Sequence, residues 1–289
     1  MIDDNLKPLS HDTILSDRKM PNEYNSLGSY LRLVTAQTTN SAILNAAQNG
    51  GVVTGLLTYA LEKKVIDGAI VSAIGKDMPF CPVPMLAKTS QEILESAGTR
   101  YSYSPNVQIL SEVSKQDVKT IAFVGTPCQI TAVRRMQERK LDCARAVKLL
   151  IGLTCSEAFN YEDLIIKHVQ NRLGVNLRKV RKTQIVGNKM IITTDETKIA
   201  VHLAEIKKCA RKSCKKCLDF SAELADLSMG ALGLRKWTFV IVRTPVGEGL
   251  FAEAERAKAF VTRPVQMDDP LVQLLLKLSQ KKHNREGKP

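Results

Sequence analysis

Residues 120–139 read TIAFVGTPCQITAVRRMQER, and this stretch decides the fold. Residues 120–124 form a short apolar run of the kind buried inside a parallel sheet. Gly125-Thr126-Pro127-Cys128-Gln129 interrupts it, and a helical pattern then continues to about Arg139. Residues 146–153 repeat the theme: an apolar strand, then Cys155, then a helix over about 161–173. Residues 68–74 read as another buried strand. Strands alternating with helices imply a mixed α/β protein with a central, mostly parallel sheet. Ligands of such sheets gather beyond the strand ends, where Cys128 and Cys155 both fall.

Outward from that centre the chain is punctuated by turns. Residues 1–27 are polar and unpatterned and read as an extended arm. A strand is expected at 31–36 and a helix at 41–48. Asn49-Gly50-Gly51 makes a turn, and a second helix starts near Val52 and runs to Lys64. Its first backbone N–H groups lack intrahelical partners and suit a phosphate; an ordinary tight turn between helices has the same sequence. No Gly-x-Gly-x-x-Gly follows a strand, so a standard dinucleotide fold is not indicated. A helix at 90–97 leads into 98–106, a hydroxyl-rich loop with Tyr101 and Tyr103 that suits either a ring with its ribityl chain or plain surface. Helix is expected at 106–115. Residues 180–203 are β-rich, with Gly187-Asn188 as a hairpin turn. Past the cysteine-rich loop, a strand is expected at 239–243, a turn at 245–249, and helices at 250–258 and 269–281.

Seven cysteines occur among 289 residues: Cys81, Cys128, Cys143, Cys155, Cys209, Cys214 and Cys217. Their uneven spacing is not that of a small disulfide framework. The N-terminus lacks a signal-peptide core, and no apolar run reaches a membrane-spanning length. A cytoplasmic protein is therefore expected, in which clustered thiols are metal ligands or redox groups. Cys214-x-x-Cys217 can offer two ligands from one loop, and Cys128 and Cys155 can offer two more from strand ends. Spacing alone leaves an iron–sulfur cluster and a structural zinc both open. Cys81 and Cys143 read as core thiols, and Cys209 as either a ligand or a spectator. The net charge is +13. Lys207, Lys208, Arg211, Lys212, Lys215 and Lys216 surround the cysteines without an intervening acid. A second basic run, 277–288, reads as a solvated helix end. Aromatic content of 5% argues against a stacking surface for single-stranded nucleic acid.

Six blocks, in order, resemble the beta subunits of coenzyme F420-dependent hydrogenases and dehydrogenases. They are AQNGGVVTGLLTYALEKKVIDGAIV, SAGTRYSYSPNV, IAFVGTPCQITAVRRMQ, IGLTCSEAF, KSCKKCLDFSAELADLSMGALG and the segment WTFVIVRT from Trp237. The resemblance spans roughly 31–260. It implies FAD and a 4Fe–4S cluster, with Cys128, Cys155, Cys214 and Cys217 as cluster ligands. Cys209 matches a position where some relatives carry cysteine and others tyrosine. Gly50, Gly51 and Thr54 match a turn near the flavin, and Thr99, Tyr103, Ser104 and Asn106 match part of its pocket. The implied organisation is an arm at 1–27, one FAD and iron–sulfur oxidoreductase domain at 28–262, and a helix with a basic tail at 263–289. The implied activity passes electrons between coenzyme F420, the substrate, and an iron–sulfur partner subunit or ferredoxin-like protein in a hetero-oligomer. FAD converts hydride transfer into single-electron transfer. Neither nucleic acid nor a membrane span belongs to this picture. The chain departs from its relatives at 230–237, where Gly-Ala-Leu-Gly-Leu-Arg-Lys-Trp replaces Gly-Ser-x-x-Gly-Trp. The added Arg235-Lys236 charge bears on the second substrate and not on the cluster ligands. The competing reading, a zinc-stapled basic nucleic-acid-binding protein, rests on net charge and Cys-x-x-Cys. The low aromatic content and the strand contexts of Cys128 and Cys155 count against it.

Overall fold

The computed structural model describes residues 26–285. Most of the expected N-terminal arm and the last four residues of the basic tail lie outside that span. Eight strands form the main sheet: β1 Arg32–Thr38, β2 Gly68–Ile74, β3 Pro82–Ala87, β4 Ile121–Gly125, β5 Val147–Leu153, β9 Leu227–Gly230, β10 Thr238–Val242 and β11 Phe260–Pro264. A separate three-stranded antiparallel sheet holds β6 Val180–Val186, β7 Lys189–Thr194 and β8 Lys198–His202. The main order is β11-β1-β10-β9-β5-β4-β2-β3. The run β9-β5-β4-β2 is parallel, and antiparallel strands extend it on both sides. Because β1 and β9 are both antiparallel to β10, they point the same way. The C-terminal ends of β1, β2, β4, β5 and β9 therefore share one edge of the sheet.

Alternation along the strands sends apolar side chains to both faces, and helices cover each. Val34, Val240, Val124 and Ile151 pack with the helices Val52–Glu62 and Pro245–Arg256. On the opposite face Ile121, Phe123 and Leu150 meet the helix Pro127–Glu138, and Leu33, Phe239 and Ile241 meet Pro270–His283. The result is a three-layer sandwich.

Several local expectations change. The turn expected at 245–249 is the first turn of the helix Pro245–Arg256, with the Thr244 hydroxyl accepting from Gly247 N. Proline at the first helical position needs no N–H partner, so Pro245 starts the helix. Strands β3 and β11 carry proline, which masks a strand signal in the sequence; both lie on sheet edges, where a missing N–H is tolerated. Strand β11 also runs through the expected boundary at 262. The helix expected at 106–115 resolves into a 3₁₀ turn, Asn106–Ile109, and a short α-helix, Leu110–Val113. The helix expected at 161–173 carries a π-helical run, Glu162–Arg172.

One buried cation joins these layers. Arg243, 4% exposed at the end of β10, donates to Leu27 O (2.8 Å), Ser29 O (2.9 Å), Ser221 O (3.1 Å), Ser221 Oγ (3.0 Å) and Ser228 Oγ (2.7 Å). Burial lowers its pKa to about 10, which leaves it charged at neutral pH. Arg243→Met strips those carbonyls of their donor, and we expect a loss on the order of 3 kcal/mol. A urea titration reads this as a lower midpoint at unchanged slope; an unchanged midpoint would show that the cradle contributes nothing.

Candidate functional site

The shared strand edge brings the expected ligands together. Strand β4 ends at Gly125, and the next helix opens with Pro127, which places Cys128 on its first turn. Gln129 fixes that turn: its side-chain oxygen accepts from Thr126 N (3.0 Å) and its amide donates to Ser104 O (2.6 Å). Cys128 is exposed, with Sγ 3.4 Å from Thr126 Oγ1. Beyond β5, Thr154 N still bonds Met229 O of β9 (2.9 Å), and Cys155 N bonds Phe220 O (2.9 Å).

The loop carrying Cys209, Cys214 and Cys217 folds back over this edge in two 3₁₀ turns, Lys207–Cys209 and Lys212–Lys216. Arg211 N donates to Ala158 O (3.0 Å), and Ala158 N donates to the Cys214 sulfur (3.4 Å). The Cys217 thiol faces Asp219 O (3.5 Å). Burial pushes the Cys155 thiol up to about 12, and the neighbouring thiols of Cys214, Cys128 and Cys217 add to the rise while the Lys282 ammonium opposes it. Four cysteines from three separate segments are thus neighbours. Among the described residues, no three Cys, His, Asp or Glu side chains are gathered as a single metal ion requires.

The other three cysteines lie elsewhere. Cys209 is buried, with its thiol toward Asp163 O (3.6 Å), and its charged neighbours are Asp163, Lys208 and Lys167. Cys81 is buried and faces Pro82 O (3.9 Å). Cys143 packs on the core layer around Phe123.

The C-terminal helix overturns the reading of its basic run as a solvated end. Lys282 is 3% exposed and donates to Cys155 O (2.5 Å). Arg285 donates to Cys214 O (2.9 Å) and Ser156 O (3.4 Å). The signal was in the sequence: Lys282 continues the buried stripe of Val272, Leu275, Leu276 and Ser279 at helical spacing.

The expected flavin residues fall into two groups on either side of the cysteines. Gly50 and Gly51 lie beside β1 and β10. Gly51 takes a left-handed conformation (φ 69°) as N-cap of Val52–Glu62, without a side-chain cap, and Thr54 lies buried in the first turn. Gly50 is glycine for packing: a Cβ there would lie 2.5 Å from Ala36 O and 2.7 Å from Thr238 N. Ser104 and Asn106 lie at the β2–β4 end. Asn106 Oδ1 accepts from Ser104 Oγ (2.6 Å) and Ser72 Oγ (3.2 Å), and its amide donates to Val124 O (2.9 Å). Their polar groups therefore tie the loop to the sheet. Thr99 and Tyr103 are half-buried. The Arg211 guanidinium sits over the Tyr103 ring, 3.6 Å from its centroid, joining this loop to the cysteine loop. Strand β6 bridges the two groups: Gln48 Nε2 donates to Thr183 O (3.2 Å), Lys182 Nζ to Ala47 O (3.2 Å), and Ile185 N to the Tyr101 hydroxyl (2.9 Å). Beneath β6 a cavity of about 10 Å³ is lined by Arg100, Ser102 and Thr183 among others, room for about one water molecule.

Two family models match the sequence: coenzyme F420 hydrogenase/dehydrogenase beta subunit N-terminal at residues 33–111 and C-terminal at 118–268. The chain belongs to that family. It is 37% identical over 267 residues to coenzyme F420 hydrogenase subunit beta of Methanothermobacter thermautotrophicus, covering 91% of this chain and 94% of that one. It is 30% identical over 276 residues to the F420-dependent formate dehydrogenase subunit beta of Methanocaldococcus jannaschii, covering 90% and 71%. Its fold matches a chain of the F420-reducing [NiFe] hydrogenase complex from Methanosarcina barkeri with TM-score 0.85 and 34% identity, over 90% and 91% of the two chains. No helix among the described residues is long and apolar enough to cross a membrane.

Gly50→Val separates packing from ligand binding at the turn. A side chain driven into two backbone strands should cost about 3 kcal/mol or more, read as a lowered thermal midpoint in protein stripped of cofactors. A stripped variant as stable as the wild type would return Gly50 to a ligand-contacting role.

Proposed function

We propose that this chain passes electrons between an iron–sulfur partner and coenzyme F420, with Cys128, Cys155, Cys214 and Cys217 holding one 4Fe–4S cluster and FAD bound beside them. Family membership makes it a coenzyme F420-dependent oxidoreductase of the hydrogenase and dehydrogenase beta-subunit type. The finer reading rests on one observation: the segments of Cys128, Cys155 and the Cys214–Cys217 loop meet at one end of the sheet, near enough for the other three thiols to act on that of Cys155.

The donor set fits the group. A tetrahedral zinc would need four sulfurs within about 2.3 Å of one ion, whereas a four-iron cluster takes each thiolate on a separate iron and spreads its ligands. Cationic side chains offset the thiolate charge. Lys282 and Arg285 place positive charge on the carbonyl side of the Cys155 and Cys214 segments, and such charges outside the ligands tune a metal centre. For FAD, the bare N–H groups at Gly51–Thr54 suit a phosphate, and Thr99 and Tyr103 stand half-buried on a loop that Ser104 and Asn106 anchor. When bound, FAD exchanges single electrons with iron and hydride with a deazaflavin. The residues of this chain hold the two cofactors in one frame: Arg211 bonds the segment after Cys155 through its backbone and stacks on Tyr103 through its side chain. A relative solved within a hydrogenase complex supports a hetero-oligomer.

Cys214→Ser and Cys217→Ser should each abolish the cluster, because serine replaces a thiolate with a hard oxygen donor. Cys81→Ser and Cys143→Ser should leave it intact. Iron analysis and the electron paramagnetic resonance signal of reduced protein decide; full iron content in either of the first pair removes that cysteine from the ligand set.

Lys212, Lys215 and Lys216 are exposed, and among the described residues none forms an ion pair. They suit an acidic partner protein. Partner-linked turnover should slow as salt rises, and Lys212→Glu/Lys215→Glu/Lys216→Glu should lose most of that dependence while dye-linked turnover persists. Partner turnover indifferent to both salt and charge reversal would place the docking surface elsewhere.

A further inference from the structure

The loop from Gly230 to Thr238 joins β9 to β10 and reaches both halves of the site. At its start the Gly230 backbone lies against Thr154, beside Cys155: a Cβ there would fall 2.2 Å from Thr154 Oγ1. At its end Thr238 N and Oγ1 abut Gly50. Between these points Gln37 Nε2 donates to Lys236 O (2.6 Å), and Asn49, with its amide turned to donate, bonds Leu234 O (3.0 Å). Leu232 and Leu234 pack on the apolar layer around Phe239. Three residues hold positive φ: Leu232 (44°), Gly233 (81°) and Lys236 (60°). A loop tied down this firmly, and bent into a conformation that side chains disfavour, presents its exposed side chains in fixed positions.

Those exposed side chains are Arg235 and Lys236. Beside them Arg263, from β11, lies over the ring of Trp237, 4.0 Å from its centroid. Trp237 is the single tryptophan of the chain. Among the described residues none of the three cations pairs with a carboxylate.

Resting on the function proposed above, we propose that Arg235, Lys236 and Arg263 form an anion-binding rim that receives the acidic side chain of the deazaflavin coenzyme. The loop that carries Arg235 and Lys236 runs from Thr154, beside Cys155, to the Gly50–Gly51 turn, so a hydride donor or acceptor for a flavin held there has to arrive past it. Its three cations match a ligand whose tail ends in carboxylates, and guanidinium groups pair such groups in a planar fork. FAD also carries an anion, its pyrophosphate, so the test has to separate the two ligands.

The double variant Arg235→Glu/Lys236→Glu and the single variant Arg263→Gln are compared with the wild type, each loaded with iron and flavin. Quenching of coenzyme F420 fluorescence gives the dissociation constant without requiring turnover. The double variant should bind the coenzyme at least tenfold more weakly, with flavin and iron contents unchanged. Arg263→Gln should weaken binding by a smaller factor. Wild type should prefer the coenzyme over a form lacking the glutamyl tail, and the double variant should lose that preference. Wild-type affinity in the double variant overturns the rim; so does normal coenzyme affinity with lost flavin, which assigns the cations to FAD. If wild type binds the coenzyme through the rim but never reduces it with a reduced dye, the proposed function fails and the rim stands. If wild type does not bind the coenzyme at all, both fail.

Discussion

The buried guanidinium of Arg243 is the constraint on which the other parts depend. A charge removed from water survives only when surrounded by hydrogen-bond acceptors. Here the acceptors come from three places: the chain entering β1, the strand β9, and the segment just after Cys217. That last segment also presents Phe220 O to Cys155 N. Asp226 secures the same region from the other side. Its carboxylate accepts from Arg134 (2.7 Å), Leu150 N (2.7 Å) and Thr244 Oγ1 (2.7 Å). The sheet and the cysteine loop are consequently fixed by one polar network under the site.

Around the thiols the charge is arranged by depth. Lys282 and Arg285 bond to carbonyls behind the cysteine segments, whereas Lys212, Lys215 and Lys216 point to solvent. Coulomb interactions weaken steeply in water and persist at depth. The inner pair therefore acts on the thiol segments themselves, and the outer set acts on what approaches the surface. Arg211 belongs to neither, because its guanidinium is committed to Tyr103.

Much of this was legible in the sequence. Apolar runs that end in cysteine place Cys128 and Cys155 at one sheet edge, since strand, turn and helix signals there agree. Other features needed three dimensions. Pro245 looks the same in a turn and at a helix start, and only Thr244 before it hints at the difference. The glycine at 50 answers to Ala36 and Thr238, contacts that no local pattern encodes. Lys282 sat in plain view on an apolar stripe but was outweighed by the basic residues around it. The link between Arg211 and Tyr103 joins residues more than a hundred positions apart and leaves no local trace.

The brace supplied by the C-terminal helix has a consequence for biosynthesis. Cys128, Cys155, Cys214 and Cys217 all leave the ribosome before Lys282 and Arg285. The sheet can condense as its strands emerge, because domains begin to fold during synthesis. The carbonyls of Cys155 and Cys214 have no cation to bond until the closing turn of that helix docks. Early in its life the chain thus carries its thiols on an edge without these two braces. That edge is closed from behind only once this later-made helix has docked.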